Sequence, residues 1–380
     1  MKIAFLTPEF PHTKTGASGG IGTSIRNLSA GLIKAGHDVS ILIYGQDADE
    51  VFTTGGLTIY RIKNIKIKGL SWYFTRKKVE KLLNKLHRQQ KVDIAEAPDW
   101  VGISSFINAN CPLVVRLHGS DTYFCHLDKR PVSWSTRFHE KKALLKADAL
   151  LSVSRYTADV TNELFSLNRE FTVIPNGVDT AKFETEDAAS GNDILYFGTL
   201  IRKKGLLELP LIFNEVHKRN PLAKLVLVGR DASDIQTGNP STWEMMKPLF
   251  SAEAIPSVNY LGSVSYDEIK NHIRQAAVCV FPTFAEALPV SWIEAMAMKK
   301  PIVASNIGWA KEVIEDGRSG FLEHPQNHQA FAEKIAALLS DKSLQAKTGI
   351  EAHQRVMEQF DMDVVAKQNI AFYSTLVNNK

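Results

Sequence analysis

Short apolar runs that lack polar alternation recur along this chain, and they constrain its fold more than any other feature. They fall at 2–7, 39–44, 57–62, 92–95, 113–117, 149–153 and 171–174, and again at 193–197, 224–228, 258–261, 278–281 and 302–304. A strand covered on both faces reads this way. Between the runs lie stretches with helical spacing of apolar residues, among them 21–35, 79–90, 206–218, 291–298 and 329–339. Strands alternating with helices predict an α/β protein with parallel sheets. The rhythm runs twice. A polar stretch at 185–192, ending in Ser190-Gly191-Asn192, separates the two sets and reads as a linker. This gives one domain over 1–185 and another from 190 onward. Ligands of open α/β sheets sit outside the carboxyl ends of the strands, so two such sheets facing each other are expected to share one cleft.

Composition supports two domains and removes several function classes. With 380 residues and 44% hydrophobic side chains, each half has enough apolar material for a core. A net charge of +4 does not mark a dedicated nucleic-acid binder. Cys111, Cys125 and Cys279 form no C-x-x-C pair, which argues against a zinc site or a disulfide framework. The apolar run 1–6 is too short for a signal peptide and meets Pro8. No run reaches 18 apolar residues, so no membrane span is expected and the location is expected to be cytoplasmic.

Five segments carry chemistry. Gly16-Ala17-Ser18-Gly19-Gly20-Ile21-Gly22 follows the first strand and opens a helix. A glycine-rich turn at a helix N-terminus offers N–H groups to a phosphate; the alternative is a merely tight turn. It is not a dinucleotide fingerprint, because Ile25 stands where the third glycine belongs, and no Lys-Ser/Thr follows for a P-loop. It also spells G-x-S-x-G, but Ser18 lies too far from the strand for a nucleophile elbow. His118 follows the run 113–117 and precedes Gly119, a place suited to ligand contact or to a structural histidine. Gly198–Gly205 contains Arg202-Lys203-Lys204, three cations able to offset a diphosphate or simply to be solvated. Glu286 lies in the loop after 278–281, and Glu294 lies on the following helix beside Ala295-Met296-Ala297. A carboxylate among such neighbours needs hydrogen-bond donors, which sugar hydroxyls provide; the alternative is a carboxylate complementing the helix dipole. Between Arg61 and Lys91 stand eleven Lys/Arg and one acid, Glu80, around Trp72-Tyr73-Phe74. That pattern suits an anionic membrane surface or an acidic acceptor, or a solvated helix face. Asp47-Ala48-Asp49 spells D-x-D but reads as an exposed turn.

Taken together, the motifs resemble glycosyltransferase family 4, retaining enzymes of the GT-B fold. The resemblance rests on Gly19-Gly20, His118-Gly119, Val153-Ser154, Pro175-Asn176-Gly177-Val178-Asp179, Gly198…Lys204-Gly205, Glu286-x7-Glu294, Pro301–Ser305 and Glu312–Gly317. It implies two Rossmann-like domains: an acceptor-side domain, 1–185, and a nucleotide-sugar donor domain, 190–363. A terminal helix, 364–380, is implied to return to the first domain. It implies that Gly19 and Gly20 contact the donor phosphates, that His118 touches the donor sugar, and that Lys204 binds the diphosphate. Glu286 would hold sugar hydroxyls and Glu294 the ribose hydroxyls, with the N–H groups of Leu288 and Val290 facing the phosphates. The family's frequent arginine after the glycine is Thr199 here, leaving Arg202 to supply that charge, and Gly308-Trp309 replaces a paired glycine. The implied reaction moves a hexose or hexosamine from an NDP-sugar, UDP-linked, to a hydroxyl acceptor in polysaccharide or glycolipid synthesis. It needs no metal and no cofactor. Alternatives are a sugar-nucleotide epimerase or hydrolase on the same fold, or a non-catalytic nucleotide-sugar binder.

Overall fold

The computed structural model describes residues 1–16, 18–183 and 191–378. The expected linker therefore lies for the most part outside the described residues. The chain forms two compact units. One comprises Met1–Asp179 with Phe360–Lys380, the other Thr180–Gln359.

The first unit is built on an eight-stranded sheet. Its strands are β1 (Lys2–Thr7), β2 (Asp38–Gln46), β3 (Glu50–Thr54), β4 (Leu57–Lys63), β5 (Ile94–Pro98), β6 (Leu113–Leu117), β7 (Ala149–Ser152) and β8 (Thr172–Val173). They lie in the order β3-β4-β2-β1-β5-β6-β7-β8. Every pairing is parallel except that of β3 with β4. β3 was not expected from the sequence. It joins β4 through Gly55-Gly56, both at positive φ, the two-residue turn that suits a tight hairpin. β1, β5 and β6 are buried almost throughout because helices cover both sheet faces.

The helix Gly20–Lys34 turns Ile25, Leu28 and Leu32 inward, where they meet Phe5 and Ile41 of the sheet and Val365, Ala366 and Tyr373 of the helix Met362–Val377. The two helices touch closely at Gly31. A Cβ there would stand 2.8 Å from that of Ala366, so a larger residue would push the helices apart. The terminal helix is also held by polar contacts. Arg116 Nε and Nη2 donate to Glu96 Oε1 and Oε2 at 2.7 and 2.9 Å, and the Tyr373 hydroxyl donates to Glu96 Oε2 at 2.6 Å. All three side chains are buried.

The second unit holds a six-stranded sheet. Its strands are β9 (Asp193–Phe197), β10 (Lys224–Val228), β11 (Val258–Tyr260), β12 (Val278–Phe281), β13 (Ile302–Ser305) and β14 (Phe321–Glu323). The order is β11-β10-β9-β12-β13-β14, all parallel. Helices Leu209–Arg219 and His328–Ser340 pack together through buried Ile212, Phe213 and Phe331. Both units are thus Rossmann-like α/β layers.

Parallel strands point their carboxyl ends one way. The segments following β1, β5 and β6 in the first unit, and β9 and β12 in the second, are therefore the ones that each sheet offers to a ligand. They contain most of the motifs singled out from the sequence. Two expected helices begin elsewhere. The stretch expected at 79–90 is helical over Ser71–Arg88, so Trp72-Tyr73-Phe74 sit in its first turn. The stretch expected at 206–218 starts at Leu209.

Candidate active site

In the second unit, β9 ends at Phe197 and the chain turns through Gly198 into a short 3-10 helix, Arg202–Lys204. Gly205 ends it at φ +74°, and a Cβ there would come within 1.7 Å of the Pro282 carbonyl oxygen. That contact needs glycine. It seats the Lys204 loop directly on the loop after β12. Two hydrogen bonds reinforce the seat, since Phe284 N and Ala285 N donate to the Lys203 carbonyl at 2.9 and 3.2 Å.

This docking brings Lys204 Nζ to 3.0 Å from Glu286 Oε1. Burial works against the ammonium charge, but the Glu286 carboxylate, the Tyr196 hydroxyl and Glu294 more than offset it and hold Lys204 above the ordinary lysine range. Tyr196 beneath it is fully buried, and its hydroxyl donates to the Thr199 carbonyl at 3.0 Å. Leu288 is buried in the same loop. Val290 is the first residue of the helix Val290–Ala297, where N–H groups have no intrahelical acceptor. Glu294 lies one turn further along and is 7% exposed. Lys204, Glu286, Leu288, Val290 and Glu294 are thus gathered in the segments that follow the carboxyl ends of the central strands β9 and β12.

Arg202 has a different attachment. Its Nε and Nη2 donate to Asp234 Oδ1 and Oδ2, both at 2.8 Å, a bidentate pair. Asp234 also accepts from Thr237 N and Oγ1 at 3.0 and 2.6 Å, and its carboxyl is held well below the usual carboxylate range, by Arg202 first. Arg202 therefore ties the 231–239 loop to the Lys204 loop.

In the first unit, Gly19 and Gly20 stand at the start of the helix Gly20–Lys34, with open space beside Gly20. Glu9, one of the residues that sequence reasoning missed, accepts from Gly22 N at 3.1 Å. His118 follows β6 and is half-buried. Its main-chain N–H donates to Asp99 Oδ1 at 2.9 Å. Burial, with Arg116 adding repulsion, lowers its imidazole to about 3. Asp99 follows β5 and is fully buried, with Oδ2 lacking a hydrogen-bond partner. Burial pushes its carboxyl up to about 8, although the N–H groups of His118 and Gly119 oppose this. Beyond the histidine, Glu140 accepts from Asp121 N and Thr122 N at 2.9 and 3.1 Å. Two buried carboxyls thus fasten the His118 loop. Asp99 was detectable only as an acid shortly after the apolar run 92–95; Glu140 left no such sign.

Several of the remaining candidates are paired locally. Asp47 and Asp49 occupy the turn between β2 and β3, where Asp47 pairs with Arg61 and Asp49 with Lys78. In the basic stretch, Arg61 also meets Glu50 and Lys77 meets Glu80. Ile67, Leu70, Trp72 and Phe74 remain exposed there. Among the described residues, no helix is long and apolar enough to cross a membrane.

Comparison with known proteins bears on the family and the fold. Two family profiles match: Glycosyltransferase Family 4 over residues 18–182 and Glycosyl transferases group 1 over residues 178–355. An uncharacterized glycosyltransferase of Methanocaldococcus jannaschii is 25% identical, with 98% of each chain covered. Sucrose-phosphate synthase from Thermosynechococcus elongatus superposes with a TM-score of 0.80 at 20% identity, over 100% of both chains. The Anabaena protein HepE, solved in complex with UDP-glucose, gives 0.74 at 20% identity, over 99% of this chain and 100% of its own. The chain belongs to the family 4 type of glycosyltransferase and has the GT-B fold.

Proposed function

We propose that this glycosyltransferase moves a hexose or hexosamine from a UDP-sugar to a hydroxyl acceptor, with retention and without a metal. The observation that carries the donor assignment is the Lys204–Glu286 contact with Glu294 on the next helix. A lysine kept charged suits the diphosphate, a neighbouring carboxylate suits the sugar hydroxyls, and a buried carboxylate suits the ribose diol. The N–H groups of Leu288 and Val290 would receive phosphate oxygens; Pro289 between them has none. Arg202 acts through Asp234, holding the loop shape around Lys204. Within the first unit, the Gly19-Gly20 helix start suits a donor phosphate and His118 suits a donor sugar hydroxyl. A neutral imidazole can accept from or donate to a hydroxyl without adding charge. UDP is favoured over other nucleotides because HepE, of the same fold, was solved with UDP-glucose.

The acceptor belongs to surface polysaccharide or glycolipid synthesis in this reading. The exposed Ile67, Leu70 and Phe74 beside the lysines of 61–91 support peripheral contact with an anionic membrane face.

The deciding experiment incubates the enzyme with UDP-sugars and candidate hydroxyl acceptors, with and without excess EDTA. A glycosylated product with the donor's anomeric configuration, formed equally in EDTA, is expected. An epimerised or merely hydrolysed donor would point to another enzyme of the fold. UDP binding with no donor turnover under any condition would point to a non-catalytic binder.

A further inference from the structure

A concavity lies wholly within the first unit, between Tyr44 of β2 and the segments that follow β4, β5 and β6. It has a volume of about 430 Å³ and is lined by Tyr44, Trp72, Arg76, Ser135, Thr136 and His139, among others. That volume is within the range of ligand pockets. Four observations give it a sign and a shape.

Arg76 is 6% exposed, and its guanidinium donates only to main-chain carbonyls, those of Trp72, Val101, Gly102 and Ile103, at 3.1–3.3 Å. No carboxylate among the described residues pairs with it. A buried cation without a counter-charge is costly and leaves the surrounding wall positive. His139 responds to this field. Its imidazole is lowered to about 4, by burial first and then by Arg76 and Lys142. Glu9 acts on Tyr44 from a distance, but its carboxylate is bonded to Gly22 N.

The second observation is the helix Trp134–Lys146, whose first turn forms part of the pocket through Ser135 and Thr136. Its N-cap, Ser133, makes no side-chain cap, and no acid stands in its first turn. The early N–H groups of a helix this long attract an anion. Third, the Tyr44 hydroxyl is buried with no hydrogen-bond partner, and an unmet buried polar group is a standing cost. Fourth, the Trp72 ring packs against the His139 ring at 4.7 Å between centroids and lies 5.3 Å from the Arg76 guanidinium, while the residue as a whole remains 40% exposed. The exposed part of an indole suits the C–H face of a sugar.

We propose that this pocket is the acceptor subsite and selects an acceptor sugar that bears a phosphate or a carboxylate. The start of the helix Trp134–Lys146, with the Ser135 and Thr136 hydroxyls, receives the anionic group. Arg76 supplies the positive field from beneath, and Trp72 receives the ring. The inference rests on the glycosyltransferase reading for calling the occupant an acceptor.

The test titrates the full chain with glucose 6-phosphate, glucuronate and glucose, each in the presence of saturating UDP so that the donor phosphate site is filled. At least one anionic sugar should bind ten times more tightly than glucose or better. Preference between the two anions tells whether a phosphate or a carboxylate is the natural group. Ser135→Asp supplies the control. An acid in a helix first turn favours the helix, so its melting temperature should not fall. The new carboxylate should weaken the anionic sugar at least tenfold while leaving UDP affinity unchanged. Trp72→Ala should weaken all three sugars together. Equal binding of glucose and the anions, binding of none of them, or Ser135→Asp without effect would each overturn the proposal. UDP binding measured first keeps the two readings apart: a protein that binds UDP but no anionic sugar loses only this subsite, whereas one that does not bind UDP loses the donor reading.

Discussion

His118 and Lys204 are both ionisable groups drawn partly out of water, and their neighbours push them in opposite directions. Lys204 has Glu286 and keeps its charge. His118 is held neutral to about pH 3, by burial first and then by Arg116. Loss of activity between pH 8 and 5 is therefore not expected to come from protonation of His118. His118→Ala should lower kcat and kcat/KM together, the signature of a contact made in the transition state, and leave UDP affinity intact. A well-folded variant with near-normal kcat would remove the residue from the site. Asp99 yields a stability prediction. Its folded-state value of about 8 lies above that of an unfolded aspartate. The folded protein then binds the extra proton between about pH 4 and 8, and stability contributed by the neutral acid is present below that window and lost as pH rises through it. Asp99→Asn cannot ionise, so urea unfolding at pH 5, 6.5 and 8 should show a shallower decline than the parent. An identical decline in both proteins would mean that Asp99 is not the group responsible. His118 stood out in the sequence by its place after an apolar run. The role of Asp99 did not, because a hydrogen bond across 19 residues to another strand's loop leaves no periodic trace.

At the level of elements, the two loops after β9 and β12 behave as one device. Gly205 presses the first onto Pro282, and that contact fixes where Lys204 meets Glu286. The division of work within the device is testable. Glu294→Gln should weaken UDP by roughly 1.5–3 kcal/mol, the range for hydrogen bonds to a charged group. Glu286→Gln should spare UDP and weaken the complete UDP-sugar. Calorimetric titration of each variant with both ligands separates the roles. Comparable loss of UDP affinity in the two would show that the pair does not divide the donor in this way. Glycines, cations and paired acids made these loops legible from sequence, and unbroken apolar runs did the same for the buried strands. Less regular elements escaped. β3 has alternating exposure at a sheet edge, so it carries no apolar run, although Gly55-Gly56 marked its turn. The helix Ser71–Arg88 starts eight residues before its expected start because its first two turns run from adjacent aromatics into adjacent basic residues instead of showing an apolar stripe. Arg202 reads from the sequence as a cation for the diphosphate; its partner Asp234 lies 32 residues on, in a loop without periodicity.

For the molecule as a whole, the repeated strand–helix rhythm revealed two α/β halves, but the reason the chain's end belongs with its beginning is written in single contacts. Glu96 and Tyr373 are 277 positions apart and bond at 2.6 Å. With Arg116 they form a buried group in which every carboxylate oxygen has a donor. Tyr373→Phe removes one donor and leaves Glu96 Oε2 dependent on Arg116 alone. A cost of about 1–3 kcal/mol is expected, as for other buried polar groups deprived of a partner. Hydrogen exchange can locate that cost. In Tyr373→Phe, amides of β5, β6 and the helix Met362–Val377 should exchange faster, because all three meet at this group. Saturating UDP on the same protein should slow exchange in a different set, the segments 198–205 and 286–298 around Lys204 and Glu294. At 100 times its dissociation constant, UDP adds roughly 2.7 kcal/mol to whichever opening requires its release. If Tyr373→Phe speeds exchange equally in both units, the Glu96 group does more than hold the terminal helix. If UDP protects β5 and β6 but not the segments around Lys204, the donor site has been assigned to the wrong unit.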